Sequence, residues 1–244
     1  MIPYFETHIT EACNLKCRGC SHFSVLAKPH HKSLAEFENE FKRLSEIEEV
    51  GIIRLMGGEP LLNPNFMDYV RIARRYFPDS QICLVTNGIL GYKLKPYEQA
   101  LKDLNINVTI SDYHLDEQIK DIHTELHEKG SLYNISLDLK GSQDAEVSHM
   151  FCDIVLHDWF YFMDGRFYPC CIAGTIKDFW RYFNIDWGIT LDDISIDIFN
   201  HTAEEIEAFI RKPCKLCSYC DTLTRPHTYK PFALSEKKIE EWTV

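Results

Sequence analysis

Three cysteines within eight residues, Cys13-x3-Cys17-x2-Cys20, constrain this chain more than any other feature. Three thiolates from one short loop can hold a cubic [4Fe-4S] cluster and leave its fourth iron without a protein ligand, open to a chelate. A structural zinc site would need a fourth donor, for which His22 is available two residues beyond Cys20. The chain holds ten cysteines, and six of the others, Cys152, Cys170, Cys171, Cys214, Cys217 and Cys220, gather toward the C-terminus. Cys83 stands alone in the apolar run ICLV and reads as a core residue. The N-terminus Met-Ile-Pro-Tyr-Phe-Glu lacks a basic start followed by an apolar core, and no apolar run is long enough to cross a membrane, so the chain reads as cytoplasmic. In a reducing compartment, clustered cysteines mean metal or redox chemistry rather than a disulfide framework.

The 244 residues suffice for a full core, and 45% hydrophobic with 26% charged residues is globular usage that excludes disorder. The formal charge of −11 repels phosphate backbones and anionic headgroups, which argues against nucleic-acid and membrane partners.

The first 140 residues alternate strand and helix patterns. Strands are expected at Tyr4–Ile9, Gly51–Met56, Gln81–Thr86, Ile106–Ser111 and Leu132–Leu137. Helices are expected at Ser33–Glu48, capped by Ser33, at Asn63–Phe77 with Pro64 in the first turn, at Pro96–Leu104 and at Leu115–Lys129. The apolar strands IIRLM, ICLVT and INVTI suit a parallel sheet buried on both faces. In such sheets ligands gather at the C-terminal strand ends, and the motifs lie there: the cysteine triplet, Gly57-Gly58-Glu59-Pro60, Thr86-Asn87-Gly88 and Ser111-Asp112. Further along, Trp159–Met163 and Arg166–Pro169 flank Asp164-Gly165, a type I′ hairpin signature, and a helix is expected at Thr202–Arg211. The fold class is α/β. The division falls at 1–148 for a β-α core and 149–244 for a cysteine-rich extension.

The triplet C-x3-C-x2-C after the first strand, with GGEP after the second, resembles the radical S-adenosylmethionine (SAM) superfamily. The resemblance implies a partial (β/α)6 barrel in which Cys13, Cys17 and Cys20 hold a [4Fe-4S] cluster whose open iron binds the amino and carboxylate groups of SAM. Reductive cleavage then gives a 5′-deoxyadenosyl radical that abstracts a substrate hydrogen. By the same resemblance Gly57, Gly58 and Glu59 line the methionine end, while Thr86, Asn87 and Ser111 contact the ribose or carboxylate. Two features depart from the family. The residue before the third cysteine, commonly aromatic, is Gly19, so another side chain such as Phe23 is expected near the adenine, and no glycine-rich adenine motif follows the fifth strand.

The pattern Cys152-x12-Gly165-x4-Cys170 with Cys214-x2-Cys217-x2-Cys220 is similar to the auxiliary-cluster extensions called SPASM and twitch. This implies a second [4Fe-4S] cluster on Cys152, Cys170, Cys214 and Cys217, with Cys171 and Cys220 as spares, alternates or hydrogen donors. Six thiolates cannot fully ligate two auxiliary clusters, which favours one cluster and the twitch form. A zinc knot is the structural alternative.

The whole arrangement resembles the aminocyclitol dehydrogenases. It implies oxidation of a sugar or cyclitol carbon with the auxiliary cluster as electron acceptor, and flavodoxin or ferredoxin as reducing partner. Peptide modification is the rival, although twelve residues before Cys13 leave no room for a leader-binding domain. Epimerisation with Cys171 or Cys220 returning the hydrogen, and a non-enzymatic iron-sulfur sensing module, are further alternatives. Asp112, Tyr113, His114, His22, Trp159, Arg166 and Trp187 are weaker candidates for substrate contact.

Overall fold

The computed structural model describes residues 1–113, 126–129, 135–224 and 232–244. The chain divides into two compact units, Met1–Leu15 with Lys28–Ser131, and Lys16–Ala27 with Leu132–Val244. The three-cysteine run therefore belongs to both, with Cys13 in the first and Cys17 and Cys20 in the second.

In the first unit the order is β1 (Ile2–His8), α1 (Leu34–Ile47), β2 (Val50–Met56), α2 (Phe66–Tyr76), β3 (Gln81–Thr86), α3 (Glu98–Asp103), β4 (Ile106–Asp112) and β5 (Leu126–Lys129). The strands pair in parallel in the order β5-β4-β3-β2-β1, as the alternation of strands with crossovers demands. Ser33 caps α1 by accepting the Glu36 N–H at 3.4 Å, as its sequence signature predicts. The helix predicted from Asn63 starts later, at Phe66, because the Asn63 side chain accepts the Asn65 N–H and holds a turn ahead of the helix. The helix predicted over Pro96–Leu104 is a 3₁₀ turn, Gly91–Tyr97, followed by the short α3.

One expectation is overturned. Leu126–Lys129, read as the end of a helix, is strand β5, with Thr109 opposite Leu126 and Asp112 opposite Lys129. Pairing with β4 outweighs the weak helical pattern of these four residues. The remainder of that predicted helix lies outside the described residues, as does His114. The strand expected at Leu132–Leu137 is, over its described part, two isolated bridges at Leu137, to Cys220 and to Thr243.

The two faces of this sheet differ. One carries Phe5, Ile53, Leu55, Ile82, Leu84 and Ile110, all fully buried. Against it stand the aromatic rings of the helices, with Phe5 edge-on to Phe41 at 6.1 Å, Phe37 stacked on Phe41 at 4.0 Å and Tyr69 edge-on to Phe37 at 5.0 Å. Each such side chain contributes about 1.5–3 kcal/mol through burial. The other face, fixed by the register Glu6↔Arg54, Arg54↔Cys83 and Cys83↔Asn107, is largely polar. The expectation of two apolar faces therefore holds for one.

In the second unit the elements are α4 (Ala145–Met150), α5 (Asp153–Leu156), β6 (Phe160–Met163), β7 (Arg166–Tyr168), α6 (Cys171–Phe183), α7 (Leu191–Ile194), β8 (Ile196–Asp197) and α8 (Ala203–Ile210). β6 and β7 form the predicted hairpin, with Met163 opposite Arg166. Asp164 and Gly165 have φ of 52° and 68°, the pair of left-handed residues that a type I′ turn requires. β8 extends the ladder antiparallel to β7. Thr202 caps α8 in a reciprocal box with Glu205. The core gathers Phe23, Phe179, Ile176, Tyr161, Cys214, Leu216 and Trp242, with Cys152, Cys170, Cys171, Cys217 and Cys220 packed against it. Among the described residues no helix is long and apolar enough to cross a membrane.

Helix α6 packs so closely on the hairpin that a Cβ at Gly174 would stand 2.0 Å from Cδ1 of Tyr161. Gly174→Ala is therefore expected to lower unfolding stability by about 1–3 kcal/mol through overpacking. Urea denaturation followed by circular dichroism measures this, and an unchanged midpoint would contradict the packing described.

Candidate functional site

Every motif in the first unit sits at the C-terminal edge of the parallel sheet, and one carboxylate ties the motifs together. Glu59 follows β2 and is fully buried. Its Oε1 accepts the Thr86 hydroxyl at 2.6 Å and the Leu61 N–H at 3.1 Å, and its Oε2 accepts the Asn87 N–H at 2.8 Å. Burial pushes the Glu59 carboxyl above its usual range, while these donated hydrogen bonds and the Lys93 charge oppose the shift. Asn87 in turn donates from Nδ2 to Oδ1 of Asn14 at 2.7 Å, which fixes the loop after β3 to the residue following Cys13.

The two glycines belong to the same construction. The Gly58 N–H donates to the Thr10 carbonyl and the Glu59 N–H to the Ala12 carbonyl, at 2.9 and 2.8 Å. A Cβ at Gly57 would lie 2.2 Å from the Thr10 oxygen, and one at Gly58 would lie 2.4 Å from the Ala12 oxygen and 2.8 Å from Cβ of Cys13. Side chains are thus excluded at both positions by the Cys13 loop itself, independent of any ligand. Cys13 Sγ accepts the Leu15 N–H at 3.4 Å, a contact that orients the sulfur. Thr10 and Asn14 are site residues that sequence reasoning missed. Their signal is weak, because a polar residue near a cysteine has many uses. Ser111 lies near the end of β4, half-buried.

Cys17 and Cys20 sit in the second unit. Cys17 bridges Leu234, and the Cys20 carbonyl accepts the indole N–H of Trp242 at 3.0 Å. Gly19 has φ of 65°, and a Cβ there would lie 2.9 Å from the Glu241 oxygen. An aromatic residue before the third cysteine is therefore barred by the local backbone. Phe23 does not take over its expected role beside a nucleotide base. Its ring is fully buried against Phe179 and Trp242, at 5.4 and 6.1 Å.

The C-terminal cysteines meet through short-range geometry. Cys170 caps α6, its Sγ accepting the Ala173 N–H at 3.4 Å. Burial, then the neighbouring thiols of Cys171, Cys152 and Cys220, push the Cys170 thiol well up. Cys214 and Cys217 approach to 3.9 Å between sulfurs, and the Cys214 contact together with burial pushes the Cys217 thiol up as well. Residues Lys215–Tyr219 form a 3₁₀ turn in which the Cys217 N–H donates to the Cys214 carbonyl and the Cys220 N–H to the Cys217 carbonyl. Three residues per turn place this C-x2-C-x2-C series along one side of the turn. The Ser148 hydroxyl donates to the Cys220 carbonyl and the Thr222 hydroxyl to the Ser148 carbonyl, clamping the turn to α4 just before Cys152. Cys170 thus lies beside Cys152, Cys171 and Cys220, and Cys214 beside Cys217, two groups of soft sulfur donors of the kind that hold iron or zinc. None of the ten cysteines forms a disulfide.

The weaker candidates for substrate contact have structural partners. Arg166 donates from Nε to the Ser195 hydroxyl at 2.7 Å and also bonds Asp192. Trp187 stacks on Tyr219 at 4.0 Å, and Trp159 on His157 at 4.8 Å. His22 lies 6.2 Å from the Tyr161 ring, and Asp112 and Tyr113 close the C-terminal end of β4.

Residues 7–138 match the family description "Radical SAM superfamily". Among characterised relatives, a GTP 3′,8-cyclase of Nautilia profundicola is 36% identical over 107 residues, 43% of this chain and 33% of that protein. A GTP 3′,8-cyclase of Clostridium perfringens is 28% identical over 162 residues, 65% of this chain and 48% of that protein. The chain thus spans half or less of the length of these relatives. Among solved structures, BtrN in complex with AdoMet and 2-DOIA is 18% identical over 91% of this chain and 93% of that one, with a TM-score of 0.53, which shows a shared fold.

The Glu59 geometry carries its own test. In Glu59→Gln the amide nitrogen must face a donor that the carboxylate now satisfies, leaving a buried N–H or hydroxyl without a partner at a cost of about 1–3 kcal/mol. The variant is expected to melt below the wild type in protein free of iron and SAM, as read by circular dichroism. An unchanged melting temperature would confine Glu59 to ligand contact.

Proposed function

The chain belongs to the radical SAM superfamily, and from that premise we propose that it abstracts a hydrogen atom from a sugar or cyclitol and oxidises that carbon. A [4Fe-4S] cluster with SAM is the cofactor pair of this family. The observation that carries the reading is the single edge of the parallel sheet where the Cys13 loop, Gly57-Gly58-Glu59 and Thr86-Asn87 are hydrogen-bonded into one unit. Ligands of parallel α/β sheets bind at this edge.

Cys13, Cys17 and Cys20 would hold the cluster, which when bound supplies the electron that opens the SAM sulfonium to methionine and a 5′-deoxyadenosyl radical. The chain's own residues bind and orient. The Leu15 N–H orients the Cys13 sulfur, and Glu59 locks Thr86 and Asn87 in place for the methionine and ribose ends. Ser111 stands at the neighbouring strand end. Such fixed positioning is where a protein of this kind contributes to rate, since the reactive chemistry belongs to its cofactor. Cys152, Cys170, Cys214 and Cys217 would hold an auxiliary [4Fe-4S] cluster in a twitch-type extension over 149–244, accepting the electron left after hydrogen loss. Cys171 and Cys220 are then candidates for returning a hydrogen in an epimerisation. A reducing donor such as flavodoxin or ferredoxin would serve in the cytoplasm, where free cysteines persist.

Nucleotide cyclisation is the second reading, favoured by the GTP 3′,8-cyclase relatives. Anaerobic turnover with SAM and dithionite separates the two. Deuterated amino sugars or cyclitols are expected to pass deuterium into 5′-deoxyadenosine; transfer from deuterated GTP alone would replace the sugar reading with the nucleotide one.

Metal analysis tests the second site. After anaerobic reconstitution, about eight irons per chain are expected from two [4Fe-4S] clusters, whereas about four irons with one zinc would remove the auxiliary cluster.

A further inference from the structure

The adjacent histidines His30 and His31 belong to none of the motifs above, yet they lie where the chain that bears the cysteine triplet returns to the first unit. Thr10 and His31 form an antiparallel bridge, and all three cysteines lie on the chain between them. The Glu11 N–H donates to the His30 carbonyl at 2.9 Å and the Lys32 N–H to the Ile9 carbonyl at 3.2 Å. Both limbs are anchored on the outer side of this bridge. On the outgoing limb the Ile9 N–H donates to the Met56 carbonyl, and the Ile9 carbonyl also accepts Nδ2 of Asn63 at 2.8 Å. On the returning limb the Lys32 carbonyl accepts the Tyr69 hydroxyl, and the Lys32 ammonium meets Glu40 at 3.0 Å. Closing a loop costs chain entropy that contacts at its base must offset.

One hydroxyl joins the two limbs. Thr10 is buried, and its Oγ1 lies 3.0 Å from the His30 carbonyl oxygen, 3.1 Å from the Ala12 nitrogen and 2.8 Å from Nδ1 of His31. A hydroxyl has one proton to give and two lone pairs to receive. The carbonyl can only accept and the amide can only donate, so all three contacts are made together only when Nδ1 of His31 carries a proton. With Nδ1 bare, the imidazole and the His30 carbonyl compete for the one Thr10 proton, and one of the two bonds is lost. We propose that His31, protonated on Nδ1, is a positioning residue that shuts the base of the cysteine loop by donating to the Thr10 hydroxyl. The Thr10 carbonyl accepts the Gly58 N–H at 2.9 Å, so the residue that His31 holds also seats the GGEP segment beside the stem of Cys13. His31 thus acts through Thr10 and not on a ligand. Its role in the reaction rests on the assignment of a cluster to Cys13, Cys17 and Cys20.

Amide hydrogen exchange of the iron-free protein reads the loop base directly, through the N–H groups of Glu11 and Lys32. His31→Ala is expected to speed exchange at both by about three- to tenfold, the effect of losing one net hydrogen bond. His31→Asn offers a side-chain N–H near the place of Nδ1 and is expected to restore the wild-type rates, whereas His31→Asp, which only accepts, is not. In a Thr10→Val background His31→Ala and His31→Asn are expected to exchange alike, because the hydroxyl through which they differ is gone. After anaerobic reconstitution, His31→Ala is expected to release iron to a chelator faster than wild type, and His31→Asn at the wild-type rate. Should His31→Ala fail to fold, as read by circular dichroism, the comparison of Asn with Asp decides alone. Equal rates in the Asn and Asp variants overturn the donor role of Nδ1, and iron release at the wild-type rate in His31→Ala overturns the positioning role. Iron content unchanged by Cys13→Ala overturns instead the cluster assignment, and with it the purpose of the closed base, whatever the exchange rates.

Discussion

The buried Glu59 carboxylate is the constraint on which the first unit's functional edge depends. A carboxylate with no exposed surface is sustained only by donors arranged around it, and here the donors come from the backbone of Leu61 and Asn87 and the hydroxyl of Thr86. Those donors belong to the loops after β2 and β3, so satisfying one charge fixes two loops. Asn87 passes the constraint to Asn14, and the backbone bonds from Gly58 and Glu59 pass it to Thr10 and Ala12. The loop that bears Cys13 is thereby tied to the loops after β2 and β3. A fully satisfied buried network of this kind specifies one geometry more strongly than its individual bonds would suggest.

This changes the meaning of the two glycines. In the family resemblance they line the methionine end of SAM. In the structure a Cβ at either would already collide with the carbonyls of Thr10 or Ala12. The same reasoning applies at Gly19, where the left-handed backbone and the Glu241 carbonyl forbid the aromatic residue common in the family. The buried Phe23 ring cannot replace it beside a base.

What was legible in the sequence was local. Ser33, the helix start at Thr202 and Asp164-Gly165 each act within a few residues, and each capped, started or turned the chain where expected. The spacing Cys214-x2-Cys217-x2-Cys220 was legible for the same reason, since a 3₁₀ turn repeats every three residues. Features set by partners distant in sequence were not legible. Leu126–Lys129 has a helix-compatible pattern but is claimed by β4. Helix α6 was hidden because Cys170 and Cys171 read as metal chemistry, although Cys170 also serves as its cap, and Gly174 reads as a breaker although it is the contact with Tyr161. Asn14 and Thr10 became visible once their partners 73 and 48 residues away were placed.

The sheet's second face shows how a run that reads as apolar can conceal a polar row. IIRLM counts as a hydrophobic strand, yet alternation sends Ile53 and Leu55 to the helices and Arg54 to the side shared with Glu6. A charge pair on a parallel sheet is retained against a desolvation cost that two apolar residues would avoid. The Tyr4 hydroxyl, donated to Oε1 of Glu6 at 2.6 Å, and the register that sets Arg54 opposite Glu6 offset part of that cost within the sheet itself.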